Sequence, residues 1–138
     1  MFIYAKMPQS ISAEAYKSIR TSLKYASVDK TIKTIVVTSS IPGEGKSTIA
    51  GNLGLCLSES GNNVLVIDCD LRRPSLHRKF KISNMTGLTD ILLDKDRMGD
   101  SIHEYSSRLS IITAGTIPPN PSEILGSRTF EKFLREIR

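Results

Sequence analysis

The 138-residue chain has no tryptophan, two cysteines and only 6% aromatic residues. With so few aromatics it lacks the stacking surfaces on which single-stranded nucleic acid is held. Its densest basic stretch, Arg72, Arg73, His77, Arg78, Lys79 and Lys81, therefore reads as a solvated or phosphate-facing surface, and nucleic acid is not an expected partner. A net charge of +5 and an isoelectric point near 9.4 are too modest to change that reading. Cys56 and Cys69 stand at no metal-ligand spacing, and the apolar residues around each predict buried packing thiols rather than a disulfide. No apolar run approaches the ~20 residues of a membrane-spanning helix. Met1 is not followed by a charged-then-apolar leader, so the expected compartment is the cytoplasm. No repeat, low-complexity tract or linker divides residues 1–138, and one domain is expected.

What is present is an alternation of strand-like and helix-like segments, the pattern of an α/β domain. Residues 33–39 are β-branched and apolar and end at a Pro-Gly turn, which predicts a buried strand. A helix is expected from about Gly45, with Ile49, Ala50, Leu53, Cys56 and Leu57 at helical spacing and Gly61-Asn62 as its stop. Residues 63–68 form a continuous apolar run ending in carboxylate, as in a parallel strand covered on both faces, and residues 109–113 are a third candidate strand. Residues 12–26 predict an amphipathic helix with Ala15, Ile19, Leu23 and Ala26 on one side and Glu14, Lys17, Arg20 and Lys24 on another. A short helix is expected around residues 88–93. A last one is expected from about Ser122 to the end, striped by Phe130, Phe133, Leu134 and Ile137. Between them residues 117–121, Ile-Pro-Pro-Asn-Pro, predict a stiff, extended loop.

Ser40-Ile41-Pro42-Gly43-Glu44-Gly45-Lys46-Ser47-Thr48 lies between the first expected strand and helix, which is the setting of a phosphate-binding P-loop. Gly43 and Gly45 let successive N–H groups converge on a phosphate, the helix beginning at Gly45 points its positive end there, and Lys46 adds a full charge at the β/γ oxygens. Ser47 offers a hydroxyl to Mg²⁺. Ser40 stands where the motif usually begins with glycine. Asp68 and Asp70 fall at the carboxyl end of the neighbouring strand, where open parallel sheets present ligand groups. Their repulsion would be relieved by Mg²⁺ or by Arg72 and Arg73. Alternatively, Asp68 caps a loop while Asp70 pairs with Arg72.

Three segments together, residues 39–48, residues 64–74 (Val-Leu-Val-Ile-Asp-Cys-Asp-Leu-Arg-Arg-Pro) and residues 118–125 (Pro-Pro-Asn-Pro-Ser-Glu-Ile-Leu), closely resemble the bacterial tyrosine kinases of capsule and exopolysaccharide synthesis, over nearly the whole chain. The resemblance implies a P-loop NTPase fold with a doubly wound, mostly parallel sheet and flanking helices. It also implies transfer of the γ-phosphoryl of ATP to protein tyrosine. On that basis Pro42, Gly43, Glu44, Gly45, Lys46, Ser47 and Thr48 bind the nucleotide, Ser47, Asp68 and Asp70 organise Mg²⁺, and Lys46, Asp68 and Asp70 serve catalysis. It further implies a membrane-bound activator of polysaccharide export as partner, with recruitment to the inner face of the cell membrane. The family's Glu-x-x-Arg-x-x-Arg pattern for ring-shaped self-association is met by Glu14, Lys17 and Arg20, with lysine in place of the first arginine. Lysine keeps the charge but loses the bidentate fork, and Glu14 and Lys17 could instead form a local pair on the helix. The resemblance also leads one to expect a further strand ending in aspartate and a tyrosine-rich tail. Neither is found after Asp70, which reads as a fragment; Tyr4, Tyr16, Tyr25 and Tyr105 are scattered.

Two other readings share the layout. Partitioning and division-site ATPases carry a signature lysine before a Gly-Gly pair, where this chain has Ile41 and Pro42. A non-catalytic nucleotide-gated module would keep the loop without the transfer chemistry.

Overall fold

Two apolar runs of the sequence and one largely polar strand make the sheet, and helices cover both of its faces, in a computed structural model that describes residues 1–138. In chain order the elements are α1 (Ile3–Lys6), α2 (Ile11–Ala26), α3 (Lys46–Glu59), β1 (Val64–Ile67), α4 (Leu76–Phe80), α5 (Leu88–Leu93), a 3-10 turn (Lys95–Arg97), α6 (Met98–Ser101), β2 (Ile102–Ser106), β3 (Leu109–Ile112), α7 (Pro121–Leu125) and α8 (Arg128–Ile137). The strand order is β1-β3-β2. β1 and β3 are parallel, with Val64 opposite Leu109 and Ile67 opposite Ile112, and β2 returns antiparallel to β3.

Because side chains alternate along a strand, one sheet face presents Val66, Leu109 and Ile111, which pack with Phe2, Tyr4, Ala13, Leu55, Cys56, Leu76 and Phe80 from α1 to α4. The other presents Leu65, Ile67 and Ile112, which pack with Leu71, Leu88, Ile91 and Phe133. Helices on both faces of a sheet are the doubly wound α/β arrangement, and continuous apolar runs are what such a sheet needs. α3 lies close to α1, for a Cβ on Gly51 would come within 2.1 Å of the Phe2 ring.

Several local expectations are corrected. Residues 31–39 are not a strand. β3 has both edges occupied, and neither open edge of the sheet, β1 or β2, takes these residues up. Their backbone has no ladder to join, and Val36 is 81% exposed. β2 was not foreseen, since His103, Glu104, Tyr105 and Ser106 give it no apolar alternation and it is half-buried to exposed. The expected last helix is two, because Gly126 follows α7 and Ser127 starts α8 by accepting the Phe130 N–H at 3.1 Å. α2 begins one residue earlier than expected, with the Ser10 hydroxyl accepting from Ala13 N–H at its N-cap. It turns Ala13 inward and packs Tyr16 on the core, leaving Ile11, Ala15 and Ile19 exposed, because small Ala13 permits the closest approach. Ile49 also lies outward on α3. Cys56 is buried as expected, but Cys69, just past the end of β1, is exposed.

Candidate nucleotide-binding site

The loop between residue 39 and α3 is shaped by two glycines in the left-handed region, Gly43 at φ 84° and Gly45 at φ 92°. A side chain at either would be strained. Gly45 is the N-cap of α3 and supplies no capping side chain, so the first turn of α3 presents backbone N–H groups that no side chain caps. Lys46 opens the helix, half-buried and in no ion pair of the chain. The loop's own bonds brace it from the outside. Ser39 Oγ donates to the Ile41 carbonyl at 2.9 Å, and Ile41 N–H donates to Glu44 Oε2 at 3.2 Å. Pro42 and Glu44 are exposed. A concave row of amides at a helix N-terminus with a lysine beside it is suited to a polyphosphate.

Nearly two turns into α3, Asn52 is fully buried. Its amide donates to the Thr48 carbonyl at 2.8 Å, and its Oδ1 accepts the Tyr4 N–H at 2.9 Å, tying the start of α3 to α1. The Tyr4 phenol is buried; that burial first, then the neighbouring Cys56 and Glu59, hold its pKa far above the ordinary range.

The two aspartates at the end of β1 differ. Asp68 is buried and accepts three backbone N–H groups: Oδ1 from Asp70 at 3.1 Å, and Oδ2 from Ser75 at 3.1 Å and Leu76 at 3.0 Å. Its carboxylate thereby caps α4. Asp70 is half-buried and uses Oδ1 to accept the Arg73 N–H at 3.0 Å, with no protein partner for Oδ2. Neither is in an ion pair, and the Arg72 guanidinium turns to Ser122 Oγ at 3.3 Å. Cys69 between them is exposed as a residue, yet its thiol is pushed up to about 11, by local desolvation first and by the negative charge of Asp68 second, so it stays protonated at neutral pH.

No group of three or more His, Cys, Asp or Glu side chains converges to hold a metal. Mg²⁺ does not require one, since it keeps several waters and takes one or two protein ligands plus phosphate oxygens. Ser47 Oγ and the unpartnered Asp70 Oδ2 fit such a partial ligand set. Ser47 Oγ already accepts a hydrogen bond from Ser75 Oγ at 2.7 Å.

On α2, Lys17 Nζ binds Glu14 Oε1 at 2.6 Å and also donates to the Pro8 carbonyl at 3.1 Å, while half-buried Arg20 is in no ion pair. Asn52 and Ser75 were not among the expected site residues. Serine before a short helix is a visible N-cap signal, but where its hydroxyl points depends on Ser47, 28 residues away.

Residues 35–126 match the family described as CobQ/CobB/MinD/ParA nucleotide binding domain. The chain is 42% identical over 130 residues to the tyrosine-protein kinase YwqD of Bacillus subtilis (strain 168), an alignment covering 94% of this chain and 55% of that protein. Among solved structures it is similar to the chimerical protein CapA2B2, with a TM-score of 0.91, 37% identity and coverage of 99% of this chain and 60% of that one. It is also similar to the kinase domain of the Escherichia coli tyrosine kinase ETK, with a TM-score of 0.90, 32% identity and coverage of 99% and 54%. The chain thus spans a little over half the length of each.

Proposed function

We infer, from a chain that belongs to the CobQ/CobB/MinD/ParA nucleotide-binding family in its bacterial tyrosine kinase branch, that the P-loop holds Mg·ATP and that the protein transfers the γ-phosphoryl group to tyrosine. The observation that carries this reading is the loop itself: left-handed Gly43 and Gly45 leading into an α3 that no side chain caps, with Lys46 beside it in no ion pair. Phosphoryl transfer asks mainly for positioning and charge neutralisation, and that is what these groups can do.

The amides of residues 43–48 hold the phosphate oxygens, and Lys46 places its charge at the β/γ position. Ser47 and Asp70 hold Mg²⁺, which when bound neutralises charge on the phosphates. Asp70, with one carboxylate oxygen unpartnered, is the better placed of the two aspartates to meet metal or to accept the tyrosyl proton. Asp68, engaged by three N–H groups, fixes the loop that carries Asp70 and Ser75. The basic residues Arg72 and Arg73 follow Asp70 in the same loop.

The wider setting belongs to the same proposal: control of capsule or exopolysaccharide synthesis, a membrane-bound activator as partner, and self-association through α2 with Glu14, Lys17 and Arg20. No helix is long and apolar enough to cross a membrane, and we place the domain in the cytoplasm, brought to the inner membrane face by the activator. The test is tyrosine phosphorylation with radiolabelled ATP, comparing the protein with Lys46→Met. Phosphotyrosine that depends on Lys46 supports the kinase. ATP hydrolysis stimulated by DNA or lipid without tyrosine transfer points to the partitioning type, and nucleotide binding with neither activity to a gated module.

A further inference from the structure

Serine at an N-cap normally spends its hydroxyl on the N–H groups of its own helix. Ser75 occupies that position before α4 and does not: no side-chain cap bond is made. The work is done instead by Asp68, whose Oδ2 accepts the N–H of both Ser75 and Leu76. The Ser75 hydroxyl is thereby released to reach across to the P-loop helix, where it donates to Ser47 Oγ at 2.7 Å.

We propose that Ser75 is a positioning residue for the metal site, holding the Ser47 hydroxyl in one orientation so that a free lone pair faces Mg²⁺. This rests on the reading of the loop as a Mg·nucleotide site. A hydroxyl oxygen has two lone pairs; with one accepting from Ser75, the other remains for the cation. Ser47 then does not have to lose rotational freedom when the metal arrives. Burial supports the geometry, since Ser75 is half-buried between Pro74 and Leu76, both buried, and its main chain is fixed by Asp68. Asp68 thus acts on the P-loop without touching it, by capping α4 in place of Ser75.

The experiment is calorimetric titration of the chain with ADP, once with Mg²⁺ and once with EDTA. The readout is the ratio of the two affinities, for wild type, Ser75→Thr and Ser75→Val. Threonine keeps the hydroxyl and valine has nearly its shape. Loss of one neutral hydrogen bond lowers the Mg²⁺-dependent gain by about fivefold in Ser75→Val, with ADP affinity in EDTA unchanged and the wild-type ratio kept in Ser75→Thr. Ser75→Ala, free of any crowding from a branched side chain, gives the same loss if valine perturbs folding. Equal ratios in Val, Ala and wild type overturn the proposal. So does a Val or Ala variant that weakens ADP equally with and without Mg²⁺, because the bond then supports the loop as a whole. A wild type whose ADP affinity ignores Mg²⁺ overturns the Mg·nucleotide reading itself, and this inference with it. A wild type with a Mg²⁺ gain that the variants retain overturns this inference alone.

Discussion

Asp90 gathers donors around one buried carboxylate, whereas the P-loop leaves the first N–H groups of α3 without a side-chain cap. At 5% exposure, Asp90 accepts the N–H of Gly87 at 2.9 Å, the N–H of Thr116 at 3.1 Å and the Thr116 hydroxyl at 2.9 Å. Around it Leu88 N–H donates to Thr113 O, Thr89 N–H to Ala114 O, and the Asn84 side chain both donates to and accepts from Gly115. Residues 31–49 have no comparable network, and much of the stretch is exposed. The contrast shows what a binding loop must give up. Amides already satisfied within the chain have nothing to offer a phosphate, so the proposed ligand loop lies where internal hydrogen bonds are fewest.

The strongest way to break this comparison is Asp90→Ala, which leaves the buried Gly87 N–H and the part-buried Thr116 donors without their carboxylate partner. A loss of about 3 kcal/mol is expected, read by urea denaturation, with ADP affinity unchanged as long as the protein is folded. A stability change under about 0.5 kcal/mol would show that the junction is not held by this carboxylate. The converse is Lys46→Met, which should weaken ADP binding about a hundredfold while leaving the unliganded melting temperature where it was. Equal calorimetric affinities for the two proteins refute the placement of the phosphates. Hydrogen exchange sharpens the contrast within one molecule. Mg·ADP should slow exchange in residues 40–49 by about tenfold or more and leave residues 87–89, 115 and 116, whose amides are hydrogen-bonded within the chain, unaffected. Uniform slowing across both would mean that they open as one unit.

A pH series gives a smaller effect. Burial alone would raise the Asp90 pKa, but the N–H and hydroxyl of Thr116, the Gly87 N–H and the nearby Arg97 hold it below its ordinary value. A depressed folded-state pKa contributes stability in full above the unfolded value of about 3.9 and loses it as pH falls from there through the folded value. The stability gap between wild type and Asp90→Asn should therefore be flat at neutral pH and narrow only in that acid range. A gap that widens on acidification would reverse the assignment. The smallest effect on the fold is expected from Arg20→Glu on α2. Its melting temperature should match the parent, while light scattering at concentrations where the parent is oligomeric should show a lower mass. An unchanged mass would make this side of α2 a solvated surface.

What the sequence made legible was local. The P-loop is read from adjacent residues, and residues 63–68 and 109–113 contain β1 and β3 because a doubly covered strand is apolar throughout. Residues 33–39 carry the same signal and still form no strand, since pairing depends on a neighbour that composition does not supply. β2 escaped notice for the opposite reason: hydrogen bonds to β3 make it a strand although His103, Glu104 and Tyr105 lack an apolar alternation. At the candidate site the sequence singles out Lys46, Ser47, Asp68 and Asp70, but not the difference in hydrogen bonding between the two aspartates. It follows from Ser75 and Leu76, whose N–H groups reach back seven and eight residues to Asp68. Asp90 was invisible because its partner Thr116 is 26 residues away.

The contact of Phe2 with Gly51 has a consequence for biosynthesis. Residues 2–4 leave the ribosome well before their dock exists: Tyr4 bonds to Asn52, 48 residues later, and the Phe2 ring lies 4.5 Å from that of Phe80, which in turn meets Tyr105 at 5.0 Å. Closing such a distant contact carries a loop entropy that local helix formation does not. During translation this apolar segment is therefore left waiting while α3 and α4 are made, a window in which a nascent-chain chaperone has something to hold.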